Sequence, residues 1–177
     1  MKRCTVAALV VGILFGSVVV IGAQEAVSGA TVEWTIDSIS AASKAFYYAK
    51  SSLTGEDLWK AIETRAGAVV VATANEDGTP NAAVIIPGIS KDRTALIFGI
   101  APNQTLENLK ARHVAVVTIY LYTASATDKF ERNKGARIIA ELITDPAEIA
   151  RLAADNKDRG ASAGSTFMKI VKILPLG

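Results

Sequence analysis

The stretch ATANEDGTPNAAVIIPG, residues 72–88, predicts a β-hairpin. Apolar segments on either side of NEDGTP fit two strands, at 68–74 and 81–88, and Asp77-Gly78 supplies the positive-φ position that a tight turn needs. Two alanines follow the first residue of the second strand. Small side chains let a flat ligand approach the backbone closely; the alternative is a hairpin whose small residues face a neighbouring strand.

The pattern outside the hairpin alternates strands with short helices. Further strands are predicted at 94–100, 113–123, 135–144 and 164–176. Helices are predicted at 37–50, from Thr54 to Gly67, at the end of 101–112 and after Asp145, where Pro146 takes the first helical position. A polar loop is predicted at 124–134. The predicted fold is mainly β with flanking helices, and antiparallel strands of this number would close into a small barrel.

The N-terminus has the pattern of a targeting segment. A basic start is followed by an unbroken apolar run from Val6 to Ala23, which predicts a signal peptide or membrane anchor at 1–26. A linker and short helix follow at 27–53, and the folded domain is predicted at 54–177. The domain is therefore expected in the periplasm or outside the cell, touching the membrane only through an uncleaved N-terminal segment. A buried N-terminal helix is the alternative.

Composition argues against several classes of function. Half of the 177 residues are apolar, and the formal charge is only +2, part of which belongs to the targeting segment. A nearly neutral domain argues against nucleic-acid binding. The only cysteine is Cys4 and the only histidine is His113. We therefore expect no transition-metal site, and no G-x-S-x-G motif accompanies the histidine.

Three segments in order carry a family resemblance. GAVVVATANEDGTPNAAVIIPG, ALIFGIAPNQTLENLKARHVAVVTIY and GARIIAEL resemble the FMN-binding split-barrel proteins related to pyridoxamine 5′-phosphate oxidase, and most closely their small FMN-binding and flavin-reductase-like members. The resemblance runs from about Leu58 to Leu174. It implies an antiparallel split β-barrel that forms a homodimer, with FMN in a groove between the two protomers.

The resemblance also implies which residues touch the flavin ring. The strand after the D-G-x-P turn would lie along the ring, so that Asn81, Ala82, Ala83 and Val84 hold its edge, partly through backbone groups. The Asn81 amide both donates and accepts, as the uracil-like edge of a flavin requires.

The segment NQTLENL is implied to meet the phosphate end of FMN. Gln104 and Thr105 would contribute side-chain donors and free N–H groups at a helix start capped by Thr105, ahead of Asn108. Many relatives carry an Arg-Lys pair where this chain has Gln104 and Thr105. The candidates to replace that charge are Lys110, Arg112 and Arg137.

Aromatic residues close the long predicted strand. Tyr120 and Tyr122 would flank the flavin or pack at the dimer seam, and packing alone is the alternative for each. His113, at the start of the same strand, is either a surface or capping residue or, if the barrel holds haem, an axial ligand.

The sequence therefore predicts an exported or membrane-tethered FMN-binding flavoprotein. Its chemistry would be hydride or electron transfer through FMN, with a possible redox partner protein. No residue stands out as an acid, base or nucleophile, so no catalytic residue is assigned and the choice between enzyme and carrier stays open. The alternatives are a non-catalytic module for FMN, haem or another planar ligand, and a barrel that serves only as a structural dimer.

Overall fold

The structure is a computed structural model that describes residues 50–176. The predicted segment at 1–26 and the predicted helix at 37–50 lie outside the described residues, apart from Lys50. Within the described range the helices are α1 (Gly55–Glu63), α2 (Gln104–Arg112), α3 (Lys129–Arg132) and α4 (Pro146–Asp155). The strands are β1 (Ala68–Ala74), β2 (Pro80–Val84), β3 (Gly88–Ile89), β4 (Ala95–Phe98), β5 (Val114–Tyr122), β6 (Asn133–Leu142) and β7 (Thr166–Leu174).

All seven strands belong to one antiparallel sheet, in the order β2-β1-β5-β6-β7-β4-β3. Its two ends, β2 and β3, are joined by residues 85–87 alone. The four Cα steps from Val84 to Gly88 span at most about 15 Å. The sheet must therefore curl until its ends are close, which produces a half-barrel.

The predicted mainly β fold with flanking helices is confirmed, with two corrections. The strand predicted at 81–88 is divided, because the chain leaves β1 after Val84 and pairs with β4 from Gly88 onward; Pro87, which has no N–H to donate, lies at this transition. Full closure of the barrel is also corrected. Among the described residues no pairing joins β2 to β3, so β2 ends the sheet.

The core lies on the concave side of the sheet. Alternate residues of β1 and β5, including Val71 and Val117, point into it, and α1 adds Leu58 and Ile62. Each such side chain contributes about 1.5–3 kcal/mol on burial. A second cluster forms beneath α4, where Leu152 packs with residues of β4 and β7.

Of the helix caps predicted for α1 and α4, the structure has the one at α4 but not the one at α1. Asp145 accepts a hydrogen bond from the Ala147 N–H at 3.1 Å, and Pro146 follows it, as predicted. Thr54 occupies the N-cap position of α1, but its side chain makes no capping hydrogen bond, which corrects that expectation. In the described part of the chain, none of the helices has the length and apolar character needed to cross a membrane.

Candidate functional site

Polar side chains of β1, β2 and α2 converge on one cluster. The hairpin turn brings β2 back along β1, so that Asn81 lies opposite Thr73, and α2 packs against the same two strands. Hydrogen bonds join the members of this group, which we call the amide–hydroxyl cluster. Its members are Thr73, Asn75, Asn81, Gln104, Thr105 and Asn108.

Asn81 connects β2 to both neighbours. Its Nδ2 donates to the Thr73 hydroxyl at 3.0 Å and to the Thr105 hydroxyl at 2.9 Å. Both amide hydrogens are thereby used, and no described residue donates to the Asn81 Oδ1. The expectation that this amide offers a ligand both a donor and an acceptor is corrected, because only the acceptor remains.

Asn108 is the buried centre of the cluster. Its side chain is 4% exposed and donates to the Thr73 hydroxyl at 3.0 Å and to Asn75 Oδ1 at 2.8 Å. Its own Oδ1 accepts from Gln104 Nε2 at 2.8 Å. Both N–H donors and the carbonyl oxygen of this amide are engaged inside the protein, so Asn108 holds Gln104 and the hairpin in place.

The start of α2 differs from the prediction by two residues. The N-cap is Asn103, whose Oδ1 accepts from the Leu106 N–H at 3.0 Å. Thr105 lies inside the first turn, is 2% exposed and binds Asn81, so its assignment as the cap was wrong. The N–H groups of Gln104 and Thr105 precede the first helical hydrogen bond, from the Glu107 N–H to the Asn103 carbonyl.

The edge of β2 is open beside this cluster. Alternate residues of an edge strand direct N–H and C=O groups away from their partner strand. Ala82 and Val84 point to the outer face of the sheet, where Val84 is 73% exposed. Ala83 is half-buried and opposite Val71. The small side chains thus leave the backbone of β2 approachable.

Tyr120 lies apart from the other predicted residues. It is opposite Ala68, whereas Asn81 is opposite Thr73, and five residues of strand separate these positions by about 16 Å. Its hydroxyl donates to Asn133 Oδ1 at 2.5 Å. The structure therefore brings together Asn81, Gln104, Thr105 and Asn108, but not Tyr120.

The three candidate cations are engaged elsewhere. Lys110 pairs with Glu107 at 3.0 Å, Arg112 donates to the carbonyls of residues 75 and 76, and Arg137 donates to the carbonyl of Pro175. Arg112 thereby fastens the C-terminal end of α2 to the hairpin turn.

The hairpin turn is held by a carboxylate. The hydroxyl and N–H of Thr79 both donate to Asp77, and these hydrogen bonds lower the pKa of the Asp77 carboxyl. Thr79 in turn accepts from Asn75 Nδ2 at 3.0 Å. The turn and the amide–hydroxyl cluster are therefore one connected network.

Sequence reasoning missed Thr73, Asn75 and Asn103. The predicted turn at Asp77-Gly78 would place Thr73 opposite Ala82, whereas the observed pairing of residue 75 with residue 79 places Thr73 opposite Asn81, so the sequence did not indicate Thr73. The helix-capping preference of asparagine indicates Asn103. No local signal identifies Asn75, whose role depends on where α2 packs.

His113 has a capping role. It ends α2 in a left-handed conformation (φ 61°), and its N–H donates to the Leu109 carbonyl at 2.8 Å. This agrees with the prediction of a surface or capping histidine.

The outer face of the sheet is largely apolar where β1, β2 and β5 meet. Residues directly opposite each other share a face, and Val70 is opposite both Val84 and Thr118. Tyr122, at the end of β5, is 62% exposed. We call this surface the outer apolar face. Its members are Val70, Ala72, Ala82, Val84, Val116, Tyr120 and Tyr122.

Comparison with known proteins identifies the fold. No protein-family model and no curated protein sequence matches the chain. Among solved structures, an FMN-binding protein from Syntrophomonas wolfei superposes with a TM-score of 0.50 at 21% identity, covering 69% of this chain and 85% of that one. This likeness shows that the chain has the split-barrel fold, as the sequence resemblance predicts.

Other solved structures give lower scores. HupZ of Group A Streptococcus has a TM-score of 0.48 at 16% identity, covering 70% of this chain and 94% of its own. A FAD-binding protein from Mesorhizobium loti has a TM-score of 0.45 at 14% identity, covering 68% and 92%. At these identities the comparison concerns the fold, and the site must be argued from this chain's own residues.

Proposed function

We propose that this protein is an FMN-binding flavoprotein whose cofactor lies along β2 and reaches the start of α2. The observation that carries the proposal is the hydrogen bond between Asn81 and Thr105, which joins the strand and the helix tip. Two residues that are 24 positions apart in sequence are thus placed side by side, as one ligand with a ring and a phosphorylated tail requires.

The residues fit a flavin in two respects. The open edge of β2 offers backbone donors and acceptors in alternation, and a flavin edge presents carbonyl acceptors and one N–H donor. Asn81 Oδ1 is an unspent acceptor at the same place. At the other end, the N–H group of the exposed Gln104 is suited to a phosphate oxygen.

In this proposal FMN, when bound, supplies hydride or electron transfer. The chain binds and orients it. β2 holds the ring edge, the amide–hydroxyl cluster fixes β2 against α2, and Asn108 positions Gln104. No residue of the cluster is ionisable, so we assign no proton transfer to the protein. A redox partner protein or a nicotinamide cofactor would exchange electrons with the flavin.

We further propose that the active form is a homodimer joined through the outer apolar face. An exposed apolar surface on a sheet is typical of a protein interface. Val84→Lys places a charge on this face at a residue that is 73% exposed and should convert dimers to monomers in light scattering after gel filtration. Lys172→Ala, an exposed residue of β7, is the control. A wild-type chain that is monomeric at every concentration would contradict the dimer.

Export belongs to the same proposal. Residues 1–26 would direct the domain to the periplasm or beyond, either cleaved or retained as an anchor. Fusion of alkaline phosphatase after residue 53 should give an active reporter, whereas removal of residues 1–26 should abolish its activity. An inactive reporter in the intact fusion would contradict export.

The experiment that tests FMN binding is a fluorescence titration of the full chain. Replacement Asn81→Leu removes the Oδ1 acceptor at the ring edge and the hydrogen bonds that fix β2 to Thr73 and Thr105, and should weaken FMN binding about tenfold or more. Ser90→Ala is the control, because it also removes buried hydrogen bonds but in the turn between β3 and β4. Equal affinities for wild type and Asn81→Leu would contradict the site.

An enzyme and a carrier differ in one further measurement. If the protein is an oxidoreductase, NADH or NADPH should bleach the visible absorbance of bound FMN faster than that of free FMN. Bleaching no faster than that of free FMN would indicate a carrier.

A further inference from the structure

We infer that the site binds the unphosphorylated flavin about as well as FMN, so that the ring and not the phosphate decides its ligand. This inference rests on the proposed function and concerns the ligand class of the same site. Its basis is the distribution of charge around the amide–hydroxyl cluster.

The elements around the site carry little positive charge. The turn between β1 and β2 together with α2 contains three carboxylates, Glu76, Asp77 and Glu107, and two cations, Lys110 and Arg112. The charged residue in the first turn of α2 is Glu107. The first turn of α2 therefore contains no cation.

Neither cation of these elements is placed for a phosphate at the helix start. Lys110 is paired with Glu107 at 3.0 Å. Arg112 lies at the far end of α2, about 12 Å along the axis from Gln104, and donates to the hairpin carbonyls at 2.9 and 3.0 Å. To reach the phosphate, either side chain would have to give up these contacts.

The donors that remain at the helix start are neutral. The exposed Gln104 contributes its N–H group and its amide, whereas Thr105 is 2% exposed and its hydroxyl is fixed by Asn81. Hydrogen bonds between a neutral donor and an anion lack the ion-pair attraction of an arginine or lysine contact, and the dianion must lose part of its hydration to make them. The phosphate therefore adds little net affinity.

The contacts to the ring are the same for both ligands. The backbone edge of β2 and Asn81 Oδ1 meet the ring edge, which riboflavin and FMN share. Since these contacts do not depend on the phosphate, they supply most of the affinity in either complex.

The test compares riboflavin and FMN in fluorescence titrations of the full chain. We expect dissociation constants within about threefold of each other, and an FMN affinity that changes less than about twofold between 50 and 500 mM salt (about one decade of ionic strength). FMN binding more than about thirtyfold tighter than riboflavin would overturn the inference and leave the proposed function standing. Binding of neither flavin would overturn the proposed function itself.

A charge-gain variant gives the second arm. Gln104→Arg adds a cation at the helix start and should tighten FMN about tenfold relative to riboflavin. Thr144→Arg adds the same charge in the exposed segment before α4 and should leave the ratio unchanged. An unchanged ratio in Gln104→Arg would contradict the placement of the phosphate at α2, and with it the argument from which the inference is drawn.

Discussion

Asn108 is a buried side chain that joins three parts of the amide–hydroxyl cluster. It satisfies groups on β1, on the hairpin turn and on α2, and it is shielded from solvent. Buried amides of this kind make a single arrangement of their neighbours favourable, because any other arrangement leaves polar atoms unpaired.

Replacement Asn108→Leu keeps the approximate volume and removes all three hydrogen bonds. We expect it to lower the free energy of unfolding by about 3 kcal/mol, since it leaves buried polar partners unsatisfied. Urea denaturation measures this. Asn103→Ala, which removes only the cap of α2, should cost about 1 kcal/mol. An Asn108→Leu loss no larger than that of Asn103→Ala would show that the cluster contributes little to stability.

The boundary between α1 and β1 depends on Gly67. Its φ is +76°, and a Cβ there would collide with the backbone oxygen of Tyr120 and the side chain of Leu121. Gly78 in the hairpin turn has a similar φ, +83°, but open space around it. A side chain at Gly78 would therefore meet backbone strain alone, whereas a side chain at Gly67 would meet both strain and steric overlap.

Replacement Gly67→Ala should cost about 2–4 kcal/mol of unfolding free energy, from strain and overpacking together. Gly78→Ala should cost only about 1 kcal/mol, from strain alone. Thermal and urea unfolding of both variants measures the difference. Equal losses would mean that β5 yields to the added methyl group.

The turn between β3 and β4 is joined to α4 through Asp92. Burial would raise the pKa of Asp92, but hydrogen bonds from Ser90, Thr94 and Arg151 outweigh it and lower the pKa from 3.8 to about 2. A carboxyl whose pKa is lowered on folding contributes stability above its unfolded pKa and loses it as the pH falls through the folded value.

The wild type should therefore lose stability relative to Asp92→Asn between about pH 4 and pH 2. Because the Asp92 side chain is 41% exposed, solvent screening limits the effect to about 1 kcal/mol. Urea denaturation of both proteins from pH 5 to pH 2 measures it. A difference in unfolding free energy that stays constant over this range would contradict the assigned pKa.

The sequence predicted most elements because their signals are local. Asp145-Pro146 marks the start of α4, Gly78 marks the hairpin, and β-branched residues mark β1 and β5. The sequence did not predict that the strand at 81–88 is divided between Val84 and Gly88. This division arises because β2 pairs with β1 whereas β3 pairs with β4. For the same reason the cap of α2 was misplaced: Asn103 and Thr105 both suit a cap, and only tertiary packing draws Thr105 toward Asn81.

The whole molecule places an open strand edge, a neutral polar cluster and an exposed apolar face around β2. The strand edge is open because β2 is the last strand of the curled sheet and does not pair with β3. The pairing of β1 with β2 produces the other two, since it sends Asn81 to the cluster and Val84 to the outer apolar face. The proposed flavin site thus depends on the hairpin formed by β1 and β2.

The most direct test is a ¹H–¹⁵N NMR titration of the full chain with FMN. The proposed site predicts the largest shifts in the amides of residues 81–84 and of residues 103–105, with little change in the amides of α4. Shifts confined to other parts of the sheet, or no shifts at saturating FMN, would contradict the flavin site at β2 and α2.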